Sequence, residues 1–317
     1  MHLSKTFALS VLWGALALGS PTPALAWGDH VEQVSANAAK GDAKAQTALG
    51  NMYHDGFGVE KDIAKALEWY RKAVDQGYAE AQFRLGHEYA MGHGVTADLE
   101  VAVSLFKKAA AQGHGEAQYR LAEYYRVGRG VQKDMFESLA WYKKSADAGY
   151  AKAQEVVANY YHEKGEFPQV LTYLEKAAEQ NSSVASYALG MMYLQGSGVA
   201  VDDKKGAGYI FRAALANHLE AKAVYGYLLL VGQGVTKDTS AAYKHLSEAA
   251  EQGESAAMFW LAEGMYHGEI ISPGSDMAAA YSNVSTAEVM KQEAREWYEK
   301  AAAAGHYGAK QKLNEYF

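Results

Sequence analysis

The chain has 317 residues, 49% hydrophobic and 21% charged, the balance of a globular rather than a disordered protein. Acidic residues outnumber basic ones by 37 to 30, which argues against a dedicated nucleic-acid binder. With no cysteine, the chain cannot have disulfides, thiol catalysis, zinc–thiolate sites or a lipidated N-terminal cysteine.

From the N-terminus, residues 1–26 read as a secretory signal peptide. Lys5 supplies the charged start, Phe7 to Leu18 an apolar run, and Pro21 and Pro23 a break before the small-x-small site Ala24-Leu25-Ala26. The run falls short of the roughly 20 apolar residues that a membrane-spanning helix takes. Cleavage after Ala26 would leave Trp27 as the mature N-terminus. No later segment is apolar enough to span a bilayer, so the mature chain is expected to be exported without an integral membrane segment. Residues 27–44 are expected to form an N-terminal capping helix.

The rest of the chain repeats itself. One column of alanines falls at Ala45, Ala81, Ala117, Ala153, Ala185, Ala221, Ala257 and Ala309, in steps of 36, 36, 36, 32, 36, 36 and 52. A second column of glycine or asparagine, from Gly41 through Asn181 and Asn217 to Gly305, shows the same steps. Agreement between independent columns, including the odd 32 and 52, marks an array of about seven units. Each unit holds two helical patterns. In the third, Ala117, Leu121 and Tyr125 share one helix face, and Gly128 and Gly130 end that helix. Asp134 is placed to cap the second helix, which Gly149 closes.

These motifs resemble the Sel-one-like repeat, a 36-residue relative of the tetratricopeptide repeat. The pattern stands nearly complete from Ala45 to Gly77, through Leu49-Gly50, Tyr53, Gly56-Phe57-Gly58-Val59, Asp62, Ala66 and Trp69-Tyr70. The resemblance covers roughly residues 41–317. It implies an all-α fold, a right-handed α-solenoid of helix pairs, acting as a scaffold, adaptor or regulator through protein contacts. It also implies a periplasmic or secreted protein of a Gram-negative bacterium. The array runs over 45–308, with unit starts at 45, 81, 117, 153, 185, 221 and 257, and residues 309–317 form a C-terminal half-repeat cap.

Two units depart from the pattern. The fourth loses four residues and its Gly-x-Gly-Val loop, with Lys164-Gly165-Glu166-Phe167-Pro168 in its place. The seventh gains an insertion at about 269–288, expected to be loop-like with a short helix around Met277 to Ala280 and able to close over a ligand.

Little else suggests chemistry. His114, His218 and His306 occupy one repeat column and do not cluster. His87 and His93, six apart, fit one helix face poorly, and no metal site or cofactor is expected. Ser104-Leu-Phe-Lys107 matches the Ser-x-x-Lys nucleophile motif but lacks the Ser-Asp-Asn and Lys-Thr-Gly partner motifs. The chain is therefore not expected to be an enzyme, with a cell-wall or β-lactam hydrolase as the alternative. Arg71-Lys72, Lys107-Lys108 and Lys143-Lys144 form a basic column. They leave an anionic polysaccharide as a further alternative ligand.

With Ala45 at zero and about 100° per residue, the positions of Thr47, Asn51 and His54 fall opposite the packed side of the first helix. In the solenoid that the resemblance implies, first helices line the concave surface. Its early units would present Phe83, Arg84, His87, Tyr119, Arg120, Glu123 and Arg126. Its later units would present Tyr187, Met191, Leu194, Tyr227, Leu230, Phe259, Trp260 and Tyr266. Aromatic and arginine side chains are frequent interface anchors, so this groove is the candidate site for another protein or a peptide segment.

Overall fold

A computed structural model describes residues 23–275 and 284–317 of the chain. The expected signal segment before Pro23 and the short helix expected around Met277 to Ala280 lie outside the described residues. All the described regular structure is helical. No described helix is long and apolar enough to cross a membrane. The chain divides into two compact units, residues 1–150 and 151–317.

Unit 1 begins with α1 (Pro23–Ala39), which starts earlier than the expected capping helix and packs on α2 (Ala43–Asp55). Three helix pairs follow. Helix α2 pairs with α3 (Ile63–Asp75), α4 (Ala79–Met91) with α5 (Leu99–Ala111), and α6 (Gly115–Val127) with α7 (Met135–Asp147). Unit 2 pairs α8 (Ala151–Glu163) with α9 (Phe167–Glu179), α10 (Ser183–Gln195) with α11 (Asp203–Leu215), and α12 (Leu219–Val231) with α13 (Thr239–Glu251). Helix α14 (Ser255–Tyr266) then pairs with α15 (Thr286–Ala303), and α16 (Tyr307–Tyr316) closes the unit.

The punctuation follows the sequence. At the end of α6, Gly128 takes a left-handed φ of 79° and its amide donates to the Tyr124 carbonyl. Asp134 opens α7, its carboxylate accepting from the amides of Phe136 and Glu137. Asp62, Asp98, Asp202 and Asp238 cap their helices in the same way. Asn181 and Asn217, at φ of 64° and 63°, are the non-glycine residues in the left-handed region among those described. Asparagine tolerates that region better than most side chains. In the shortened fourth unit the turn is reduced to residues 164–166, and Pro168 sits in the first turn of α9, where its missing N–H costs nothing.

Alanines form the seams between helices. Ala66, Ala73, Ala102, Ala109 and Ala117 are all fully buried in unit 1, and this lets the helices approach closely. A column not read from the sequence lies beside them: Gln46, Gln82, Gln118 and Gln154 are buried. Gln112 Nε2 donates to Gln82 Oε1 and to the Gly77 carbonyl, both at 2.9 Å, joining the closing turn of one repeat to the next. Gln76 and Gln180 donate likewise to Gln46 and Gln154 within their own repeats, and Gln118 Nε2 reaches the Ala110 carbonyl of the preceding pair. Because a buried amide needs its partners, the ladder fixes the register of successive pairs.

The insertion is not a free loop where it is described. Ile270 is fully buried, Ser272 donates to Glu293 Oε2 at 2.6 Å, and Ser275 donates to the Ser272 carbonyl. Its first residues are therefore anchored on the core and on α15, so the expected closure over a ligand does not extend to them.

Candidate functional site

In unit 1, Phe83 is 2% exposed and lies in the wall of a cleft rather than on an open surface. Its ring stacks on His114, the N-cap of α6, at 4.9 Å and packs on Phe106 at 5.8 Å. Tyr119 packs in the same way against Tyr150 at 5.3 Å. In unit 2, Tyr187 stacks on His218 at 4.7 Å and Phe259 on His306 at 4.3 Å. This column therefore joins consecutive repeats. The single-helix angle misplaced it because the residue opening the next first helix covers the side opposite Ala45. The expected apolar patch shrinks further, since Leu230 is 6% exposed, Tyr227 lies on Trp260 at 4.9 Å, and Tyr266 is stacked under Tyr316 at 3.9 Å.

The charged residues of unit 1 are engaged along their own helices. Arg84 pairs with Glu80 at 2.6 Å and Arg126 with Glu123 at 2.8 Å, while Arg120 lies 3.7 Å from Glu116. Glu80 also meets His114 Nε2 at 2.7 Å. That hydrogen bond, and then the Arg84 guanidinium, hold the Glu80 carboxyl down at about 2 against the opposing effect of burial. The folded-state value thus lies below the ordinary 4.5. The resulting stability is present above pH 4.5 and lost as pH falls towards 2. Between those limits the urea midpoint of the wild type should fall more steeply than that of Glu80→Gln; parallel curves would remove this ionisation from the account.

Two clefts open in unit 1. One of about 220 Å³ brings Arg84, His87 and Arg120 together with His54 and Glu88; a second of about 170 Å³ is lined by His87, Arg120, Glu123 and Arg129. Sequence reasoning missed Glu88 and Arg129. Arg129 Nη2 reaches the Ala90 carbonyl, and its guanidinium lies over Tyr124.

Unit 2 holds a larger and more apolar cleft, about 330 Å³, between α8, α9 and α10. Val170, Leu174, Ala188, Met191 and Met192 form its walls, and Glu155, Asn159 and His162 its polar edge. Of the candidate groove residues only Met191 lines it. It lies at the repeat that lacks the Gly-x-Gly-Val loop, a departure that was visible in the sequence.

The basic column covers aromatic rings. Lys72 Nζ lies 3.9 Å from the centre of Trp69, Lys144 Nζ 4.0 Å from Trp141, and Lys107 Nζ 5.7 Å from Tyr125. Ser104 is exposed on α5 and lines none of the three clefts.

The Sel1 repeat profile matches residues 43–78, 79–114, 115–150, 151–182, 183–218, 219–254, 255–282 and 291–306. This chain belongs to the Sel1 repeat family. The last two matches are the halves of the seventh unit, parted by the insertion. Sel1 repeats are known as protein-interaction scaffolds and are generally non-catalytic. Among solved structures, the chain resembles a protective antigen of uropathogenic Escherichia coli strains with an SLR fold. The two agree with a TM-score of 0.72 at 31% identity, over 90% of this chain and 58% of that one. Among curated proteins, the secretory immunoglobulin A-binding protein EsiB of Escherichia coli is 38% identical over 71 residues, 22% of this chain and 14% of the relative. An uncharacterized protein of Neisseria meningitidis serogroup B is 27% identical over 140 residues, 44% of this chain and 28% of the relative. The matched stretches span well under two thirds of these relatives.

Within the Sel1 repeat, Glu88 occupies a position that is otherwise apolar or aromatic. Met52, Tyr124, Met192 and Leu228 hold it in other units, all buried. Glu88 is 4% exposed, and its Oε2 accepts no hydrogen bond. Three histidines converge on it. His54 Nε2 and His87 Nδ1 each lie 3.5 Å from Oε1, and His93 Nδ1 lies 3.4 Å from Oε2. Burial pushes the carboxyl up, but His87, His54 and His93 outweigh it and leave it below the ordinary range. The spacing argument against His87 and His93 fails because His93 lies beyond α4, in the turn that folds back over it.

Proposed function

We propose that this Sel1 repeat chain is an exported, non-enzymatic scaffold that binds an extended segment of another protein, serving in the periplasm as an adaptor, regulator or inhibitor. The cleft of unit 2 carries the reading. Its apolar floor offers two methionines, which adapt to varied side chains, and its polar edge can meet a bound backbone. The immunoglobulin-binding activity in the name of the Escherichia coli relative supports a protein ligand. The signal-like segment ending at Ala26 supports export.

The test is recovery of the exported chain from periplasm, its intact mass, and calorimetry with the protein that it captures there. The chain should begin at Trp27; a mass retaining Met1 to Ala26 would sink the export half of the proposal. Ala188→Glu with Met191→Glu should weaken binding by about tenfold or more, the scale of losing an interface anchor, with circular dichroism unchanged. Lys107→Ala with Lys143→Ala should matter much less. The reverse ranking would move the contact to the basic column.

A further inference from the structure

We propose that His54, Glu88 and His93 bind one divalent transition-metal ion of the zinc type, with a fourth position left open. Three observations on unit 1 carry it.

The first is Glu88 itself. A buried carboxylate with one oxygen free of hydrogen bonds is costly unless a cation satisfies it. The Sel1 fold does not require it, since other units place methionine, tyrosine or leucine there.

The second is geometry. One donor atom from each of the three residues lies within 4.8 Å of the others. His54 Nε2 lies 3.5 Å from Glu88 Oε1 and His93 Nδ1 3.4 Å from Oε2, each close to the roughly 3.3 Å between neighbouring ligand atoms around an ion held by bonds of about 2.0–2.1 Å, so the two imidazoles flank the carboxylate from its two oxygens. Small shifts would complete the coordination. His93 is half-exposed and gives the ion a way in, while His54 and Glu88 form the inner wall.

The third is the support behind His54. Its Nδ1 lies 2.7 Å from Asp55 Oδ1. An ionised carboxylate only accepts, so Nδ1 carries a proton, and in the neutral imidazole that takes up a metal the Nε2 lone pair faces Glu88. A carboxylate behind a histidine ligand is the arrangement that orients imidazoles in metal sites. Two imidazoles and one carboxylate, without thiolate, suit zinc, nickel or copper better than magnesium or calcium.

The experiment uses the full chain without a histidine tag, stripped with chelator and titrated calorimetrically with zinc chloride, with cobalt as a spectroscopic substitute. The wild type should bind one equivalent of zinc, unfold at a higher temperature with it, and give the intense visible absorption of tetrahedral cobalt. Glu88→Met restores the residue type of Met52 and Met192, so it should fold and lose the site. His93→Ala, at a half-exposed turn, should fold normally and weaken binding at least about tenfold. The proposal is overturned if the wild type takes up no stoichiometric zinc, if Glu88→Met binds it equally well, or if the cobalt spectrum is octahedral.

Discussion

Leu121→Ala should destabilise unit 1 by about 2–5 kcal/mol, the range for truncating a fully buried leucine. Leu121 lies in α6 within a cluster that includes Phe106 and Ala109 of α5 and Phe83 of α4. Leu121 is fully buried, so relaxation into the space that the change would leave is limited to shifts of packed helices. Repeat arrays hold together by nearest-neighbour contacts, and the loss should therefore be graded. Amide exchange should quicken first in α5, α6 and α7, and last in α1 and α2. Equal loss of protection throughout residues 30–150 would mean that unit 1 opens as a single block.

Ile270→Ala should cost unit 2 a comparable amount, about 2–5 kcal/mol. Gly264 stands in the same column as Met192 and Leu228 and offers no side chain of its own. Ile270, from the start of the insertion, lies over it, so close that a Cβ on Gly264 would fall 2.6 Å from Ile270 Cδ1. The two departures compensate each other: the unit has lost a core side chain from its helix and regained one from its insertion. Gly264→Leu in the Ile270→Ala background should recover part of the loss measured by urea unfolding, while Gly264→Leu alone should destabilise through overpacking. An unchanged midpoint for Ile270→Ala would show that the insertion contributes nothing to the core.

The architecture was legible because its signals are local and repeated. Asp134 as a cap, the left-handed Asn181 and Asn217, and the shortened turn at Lys164 to Pro168 each depend on a few neighbouring residues, and the period multiplies them. The site was less legible because it depends on rotation about helix axes and on side chains brought together from different repeats. His54 and Glu88 lie 34 residues apart, and the approach of α4 to α2 from the next pair brings them together. One signal could have exposed them: comparing the column of Met52, Tyr124, Met192 and Leu228 shows Glu88 as its lone charged member. The apolar groove was overestimated for a related reason. An angle measured on one helix does not show that His114 covers Phe83, or that Tyr316 covers Tyr266.

The stacked joints between repeats also bear on how such a chain can be lengthened or recombined. Each aromatic of the column is held by the residue that opens the following first helix, so the two halves of a joint come from successive helix pairs. In the shortened fourth repeat the joint has a different chemistry: Ser182 donates to Glu155 at 2.6 Å where others stack a ring on histidine. A crossover placed between Tyr119 and Tyr150, or between Glu155 and Ser182, would join mismatched halves and leave a glutamate facing a ring. A crossover just after His114 or His218 keeps each joint within one inherited segment. Those are the points where modules of this array can be exchanged, duplicated or grafted with these joints intact.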